Sequence, residues 1–237
     1  MKNDQNAQKL IVALDTPSLD IVKKLLKELK GVVSFYKIGF ELFTAHGWEA
    51  VEMVRKAGGN IFLDLKLHDI PNTVAKTAAV LCEHEVEMFN VHTLGGFEMM
   101  KQVRETVDGR AHKNKKPLVL GVTILTSHSQ ETLAKDLRIS EKIEDQVLHL
   151  ASLAQKAGLD GVVCSPQEIQ LLREKISKDF VIVTPGIRPL ESAKDDQTRI
   201  MTPHQAIEQG ASFIVVGRPI NAAADPRQAA LDLINSL

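Results

Sequence analysis

The sequence predicts a single-domain α/β protein, a (β/α)8 TIM barrel occupying residues 1–237. Three observations carry that reading. Eight short apolar or β-branched runs recur along the chain, helical patterns lie between them, and capping residues and helix-ending glycines mark the boundaries with no long interrupting domain. An open, doubly wound sheet is the alternative topology for the same alternation.

The first run, Leu10–Leu14, ends in Asp15. Ser18 then stands where it can cap a helix over Ser18–Lys30, with Leu19, Val22, Leu25, Leu26 and Leu29 on one stripe. The second run, Phe35–Gly39, carries Lys37 near its end. The third, Ile61–Leu65, leads through Asp64-Leu65-Lys66-Leu67-His68-Asp69 into Ile70-Pro71-Asn72-Thr73. Met88–His92 and Leu118–Ile124 are the fourth and fifth runs, and Thr126 and Ser127 follow the latter. A helix is expected over Glu141–Ala157, where Ile143, Val147, Leu150, Leu153 and Ala154 share a face. The sixth run, Gly161–Cys164, precedes Ser165 and Pro166, the latter suited to the first turn of a helix. The seventh, Val181–Thr184, opens into Pro185-Gly186-Ile187-Arg188, and the eighth, Phe213–Val216, into Gly217-Arg218. Gly31, Gly58, Gly158 and Gly210 each follow a helical pattern, as residues that end helices in the left-handed conformation do.

The third run holds the densest chemistry. Residues two apart in a strand share a face, so Asp64 and Lys66 point the same way, while Pro71 stops the strand and puts Asp69 in the turn. Alone, such a cluster is also what a salt-bridged strand end looks like. Yet neighbouring runs deliver Asp15 and Lys37 to the same kind of position. In a (β/α)8 barrel the carboxyl ends of the strands form the active site, so these residues become the candidates.

The same fold commonly binds phosphate at the loops after strands seven and eight. Both loops here carry a glycine and an arginine: Gly186 with Arg188, and Gly217 with Arg218. The guanidinium fork matches phosphate oxygens, although surface ion pairing is the other common use of arginine. From Arg188 to Thr202 runs a long polar segment that includes Glu191, Lys194, Asp195, Asp196, Gln197 and Arg199. A segment of that length suits a lid closing over the anion, with Gln197 as an added amide donor.

Bulk properties narrow the function further. The formal net charge of −1 provides no field to draw polymeric nucleic acid or an anionic membrane. Residues Met1 to Lys9 lack the apolar middle of a signal peptide, and no apolar run is long enough to cross a bilayer, so a cytoplasmic location is expected. Cys82 and Cys164 show neither C-x-x-C nor metal-ligand spacing and are expected to be reduced thiols. The histidines likewise lack metal-ligand spacing. His92 and His68 stay outside the catalytic set, and Trp48 and Met99-Met100 read as helix packing.

Taken in order, these segments resemble the orotidine 5′-monophosphate decarboxylase family over nearly the whole chain. The resemblance rests on Val12-Ala13-Leu14-Asp15, Tyr36-Lys37-Ile38-Gly39, Asp64-x-Lys66-x-x-Asp69-Ile70-Pro71-x-Thr73, Leu125-Thr126-Ser127, Thr184-Pro185-Gly186-Ile187-Arg188 and Val216-Gly217-Arg218-Pro219-Ile220. It implies decarboxylation of orotidine 5′-monophosphate to UMP without metal or cofactor, as the last step of de novo pyrimidine synthesis. Lys37, Asp64, Lys66 and Asp69 would then form a charged network around the reacting carbon, with Lys66 stabilising the C6 carbanion and delivering the proton. Asp15 and Lys37 would hold ribose hydroxyls, and Thr126, or Ser127 next to it, the pyrimidine edge. Gln197, Gly217, Arg218 and Arg188 would hold the phosphate. In that family Asp69 comes from the partner subunit together with Ile70 and Thr73, which implies a homodimer with shared sites. The rival readings are a metal-dependent sugar-phosphate lyase or isomerase on a related barrel, and a non-catalytic nucleotide-binding protein.

Overall fold

A computed structural model describes residues 6–110, 116–188 and 201–237. Strands β1 (Leu10–Ala13), β2 (Phe35–Gly39), β3 (Asn60–Leu67), β4 (Met88–His92), β5 (Leu118–Val122), β6 (Gly161–Val163), β7 (Val181–Thr184) and β8 (Phe213–Val216) close into a barrel in chain order. Every neighbouring pair is parallel, and β8 returns to β1 with Leu10 opposite Ile214 and Val12 opposite Val216. The closed barrel, not the open sheet, is the observed topology.

The helices are α1 (Leu19–Glu28), α2 (Phe40–His46), α3 (Trp48–Lys56), α4 (Pro71–Glu83), α5 (Gly96–Arg110), α6 (Gln130–Lys135), α7 (Ile143–Lys156), α8 (Ile169–Lys175), α9 (Pro203–Glu208), α10 (Arg218–Asn221) and α11 (Pro226–Asn235). Ser18 caps α1, its hydroxyl accepting from Ile21 N at 3.4 Å. The helix-ending glycines Gly31, Gly58, Gly158 and Gly210 have φ of 76°, 84°, 83° and 106°, the region where a Cβ is disfavoured. Helix α7 starts two residues later than its apolar pattern suggests, because Lys142 is still extended as its N-cap. Pro166 opens a short 3-10 turn ahead of α8, capped by the Ser165 hydroxyl.

Alternation along the strands divides the core into two layers. Ile11, Ala13, Phe35, Phe62, Met88, Leu120, Val183 and Val215 fill the barrel interior. Leu10, Val12, Tyr36, Ile38, Ile61, Leu63, Phe89 and Val91 face outward into the larger core beneath the helices. At the amino-terminal end, Arg173 of α8 ties strands together, donating to the carbonyls of Gly210 at 2.9 Å and Phe180 at 2.7 Å and to the Ser212 hydroxyl at 3.2 Å. That end serves stability. Trp48 and His84 stack 3.5 Å apart, and Met99 and Met100 are fully buried, so these side chains do pack helices.

Phe89 is fully buried between β4 and the helix layer. Phe89→Ala is expected to destabilise the fold by about 3–5 kcal/mol through lost burial and a residual cavity. Denaturant unfolding checks this, and a change below about 1 kcal/mol would mean the site collapses around the gap.

Strand limits differ from the apolar runs where a side chain is needed at the barrel mouth. Strand β5 ends at Val122, before Ile124, as the Thr123 hydroxyl and amide both donate to Val163 O, at 3.0 and 3.1 Å. Strand β3 extends to Leu67, beyond its expected end, and its pairing with β4 shifts register between Leu63 and Leu67.

Candidate active site

The register shift puts Lys66 at φ +45°, one of the few non-glycine residues with positive φ. Such a backbone conformation costs about 1–3 kcal/mol and persists only where its surroundings impose it. Lys66 N donates to the Asn90 side-chain oxygen at 2.7 Å, which replaces the ladder bond lost at the shift. The side-chain alternation expected for this strand still holds. Phe62, Asp64 and Lys66 all line one cavity at the carboxyl ends of the strands.

Asp64 is the hub of that cavity. Its Oδ1 accepts from Lys66 Nζ at 2.8 Å and from Asn90 Nδ2 at 2.7 Å, and its Oδ2 lies 3.3 Å from Lys37 Nζ. Lys37 Nζ also donates to Asp15 Oδ1 at 2.9 Å. Four charged side chains from β2, β3 and the turn after β1 thus form one chain: Asp15, Lys37, Asp64, Lys66. Gly39 makes room for it, since a Cβ there would stand 2.9 Å from Lys37 Nζ. Phe40 flanks the end of the chain, its ring centroid 5.5 Å from Lys66 Nζ.

Electrostatics fix the protonation of the central pair. Burial alone would raise the Asp64 pKa, but Lys37, Lys66 and the Asn90 hydrogen bond together hold it below the usual carboxylate value. Burial alone would lower the Lys37 pKa, yet the carboxylates of Asp64 and Asp15 raise it. For Asp64 the depressed pKa means stabilisation present above the unfolded carboxylate pKa and lost as pH falls through the folded one. For Lys37 the raised pKa means stabilisation complete below the unfolded lysine pKa and lost as pH rises through the folded one. Both groups are therefore charged at neutral pH.

The loops after β7 and β8 supply further wall, with Gly217 beside Asp15. Arg188, Gly186, Gly217 and Arg218 line the same cavity, whose volume is about 290 Å³. Arg188 is buried and Arg218 is exposed at the rim. The backbone of Arg188 pairs with Met201, N to O at 3.1 Å, so the two ends of the long polar segment are joined beside the cavity. Gln197 and the segment expected to act as a lid, residues 189–200, lie outside the described residues. Thr126 and Ser127 both line the cavity, as does the buried Cys164. Both cysteines are free, and Cys82 is half-buried on α4.

Asp69, Ile70 and Thr73 stand elsewhere. All three are exposed and none lines this chain's own cavity; Asp69 Oδ1 accepts from Ile70 N at 2.7 Å. His92 ends β4 next to the charged chain and stacks on His68 with centroids 5.4 Å apart. Burial, then His68, Lys66 and His128, lower the His92 pKa to about 4, so its ring is neutral at physiological pH. Ser165, another strand-end residue, caps the following turn and does not line the cavity.

Sequence reasoning passed over Asn90, Gly39 and Phe40. Asn90 had a readable signal: it is a carboxamide at an inward strand position between the apolar Phe89 and Val91, and buried polar groups need partners. Gly39 was legible only as the end of the Tyr36-Lys37-Ile38-Gly39 motif, and Phe40 not at all, because their importance comes from the side chains of Asp15, Lys37 and Lys66 brought beside them.

A closed barrel with a buried carboxylate between two ammonium groups at one end of its mouth and two arginine loops at the other defines an enzyme-like barrel built for an anionic small molecule. The chain belongs to the Orotidine 5'-phosphate decarboxylase / HUMPS family, which it matches over residues 8–233. It is 50% identical to the orotidine 5'-phosphate decarboxylase of Geobacter metallireducens over 230 residues, covering 97% of this chain and 96% of that protein. It is 48% identical to that of Moorella thermoacetica, over 94% of this chain and 89% of the other. Among solved structures, the orotidine 5'-phosphate decarboxylase of Lactobacillus acidophilus superposes with a TM-score of 0.85 at 39% identity, covering 97% of this chain and 98% of that one.

Proposed function

We propose that this chain decarboxylates orotidine 5′-monophosphate to UMP and CO₂. The observation that carries the reading is the Asp15-Lys37-Asp64-Lys66 chain facing the Arg188 and Arg218 loops across one cavity. It supplies a cation and an anion at the reacting end and guanidinium groups at the phosphate end of a single nucleotide.

The chemistry requires that arrangement. When the bond from C6 to the carboxylate breaks, CO₂ leaves and its electron pair stays on C6 in an orbital in the plane of the ring, where the ring cannot delocalise it. A fixed ammonium beside C6 stabilises that charge, and Lys66 fills the role and then gives C6 its proton. Asp64, crowded against the substrate carboxylate, disfavours the bound ground state. Lys37 and Asp15 hold ribose hydroxyls, Thr126 meets the pyrimidine edge, and Gly217, Arg218, Arg188 and Gln197 hold the phosphate.

The working unit in this reading is a homodimer. Phe40, Ile70 and Leu94 are 57%, 67% and 42% exposed at the carboxyl ends of β2, β3 and β4, an apolar arc beside the charged chain. A two-fold contact through that arc covers it and carries Asp69, Ile70 and Thr73 of one protomer to the site of the other. Such a protein works in the cytoplasm, and among the described residues no helix is long and apolar enough to cross a membrane. A metal-dependent sugar-phosphate reaction fits the site less well, because both oxygens of Asp64 already face ammonium groups.

The test is CO₂ release from orotidine 5′-monophosphate by the purified protein in excess EDTA. Turnover is expected to persist; no turnover with or without added divalent metal would overturn the reading, and turnover of sugar phosphates restored by metal would favour the rival.

Phosphate binding should also feed the chemical step, since energy from contacts remote from C6 can drive closure and crowding of the carboxylate. Arg218→Ala is expected to lower kcat/KM by roughly 10–100-fold, the size of a lost charged hydrogen-bond pair. The nucleoside orotidine should lose kcat as well as affinity. Steady-state kinetics with both substrates decide this, and equal kcat for nucleoside and nucleotide would mean that the phosphate only tethers.

A further inference from the structure

Asn90 sits at the middle of β4, 1% exposed, on the face that looks into the barrel. Its carboxamide makes two bonds of opposite sense to neighbouring residues of β3. Oδ1 accepts the Lys66 backbone amide at 2.7 Å, and Nδ2 donates to Asp64 Oδ1 at 2.7 Å. That same Asp64 oxygen accepts from Lys66 Nζ at 2.8 Å. The result is a closed ring of contacts: Asn90 to the Lys66 backbone, along the Lys66 side chain to Asp64, and back to Asn90.

The ring lies where the β3–β4 ladder breaks register and Lys66 adopts its left-handed backbone. A strained residue needs neighbours that over-determine it. Here the bond across the break comes from Asn90.

We propose that Asn90 is a positioning residue for the reaction: it holds Lys66 in its left-handed conformation and holds the Asp64 carboxylate oriented, so that ammonium and carboxylate meet the substrate at fixed places. This rests on the decarboxylase reading above. Asn90 itself does not line the cavity. It acts through Asp64 and Lys66. The charged groups facing Asp64 are Lys37 from β2 and Lys66 on its own strand, with Asp15 behind Lys37. Asn90 is the neutral donor among them, and its bond favours the charged carboxylate.

Two variants test this. Asn90→Ala removes both bonds, and Asn90→Leu removes both while nearly keeping the side-chain volume and adding no titratable group beside Asp64. For Asn90→Ala, kcat should fall on the order of 10²-fold, the effect of displacing a reacting group by about 1 Å. In both variants the acidic limb of the kcat/KM profile should move up by about one pH unit or more, since Asp64 loses a hydrogen bond that favours its charge. UMP affinity should stay within about threefold, because the phosphate end is distant.

An inactive parent would overturn the decarboxylase reading and this inference with it. An active parent beside variants with unchanged kcat and an unmoved acidic limb would overturn this inference alone. So would equal losses of kcat and UMP affinity with a lowered melting temperature and no shift of the limb, since that pattern marks a purely structural residue. If Asn90→Ala does not fold, the pH profile of Asn90→Leu decides.

Discussion

Replacing Lys66 by alanine is expected to abolish CO₂ release, by about 10⁴-fold or more in kcat, while the protein stays folded. The size follows from two roles in one side chain: stabilising charge as it develops and delivering a proton contribute about 10²–10³-fold and about 10²–10⁴-fold. Folding should survive because Lys66 Nζ lies at the cavity, with a partly exposed side chain, and outside the apolar clusters. Removing the ammonium leaves Asp64 with Lys37 and Asn90 as partners, so the buried carboxylate is not stranded. The measurement is single-turnover decarboxylation beside binding of UMP. A variant that binds UMP and retains more than about a hundredth of the parent kcat would move the proton donor elsewhere.

Asp69→Ala is expected to be comparably inactive, although Asp69 lies outside its own cavity. The informative experiment mixes two inactive proteins. If each site draws Lys66 from one protomer and Asp69 from the other, a heterodimer of Lys66→Ala with Asp69→Ala has one site carrying both lesions and one carrying neither. With equal amounts and free exchange, half the dimers are mixed, so roughly a quarter of the parent activity should return. Restored activity requires shared sites, since no arrangement confined to one protomer regenerates an intact set. Failure to recover activity after verified subunit exchange would confine each site to one chain and leave Asp69 with a local role, such as its bond to Ile70 N.

The pH dependence of the parent has a sign set by the same charges. Asp64 is held below, and Lys37 above, its ordinary pKa, so both are charged at neutral pH. Activity is expected to fall as pH drops through the Asp64 value or rises through that of Lys37, which a kcat/KM profile checks.

Much of the fold was legible because its signals are local. Alternating runs, caps and helix-ending glycines depend on residues within a few positions of one another, and all eight runs became strands of the closed barrel. The order of Asp15, Lys37, Asp64, Lys66, Arg188 and Arg218 along the chain was likewise readable, because a barrel presents each strand end at one mouth.

What only the tertiary structure decided is distance and conformation. The bonds from Lys37 to Asp15 and Asp64 join successive β/α units across intervening helices, and they depend on how the strands are staggered around the barrel. The register break after Leu63 and the left-handed Lys66 leave no periodic trace, since both arise from a mismatch between neighbouring strands. His92 shows the same division. Its place at the end of β4 was evident, but its neutrality comes from burial and from His68, Lys66 and His128 brought around it by folding. By itself the sequence determined which side chains reach the barrel mouth; packing of the strands determined which of them touch, because side-chain parity is a property of one strand and contact a property of several.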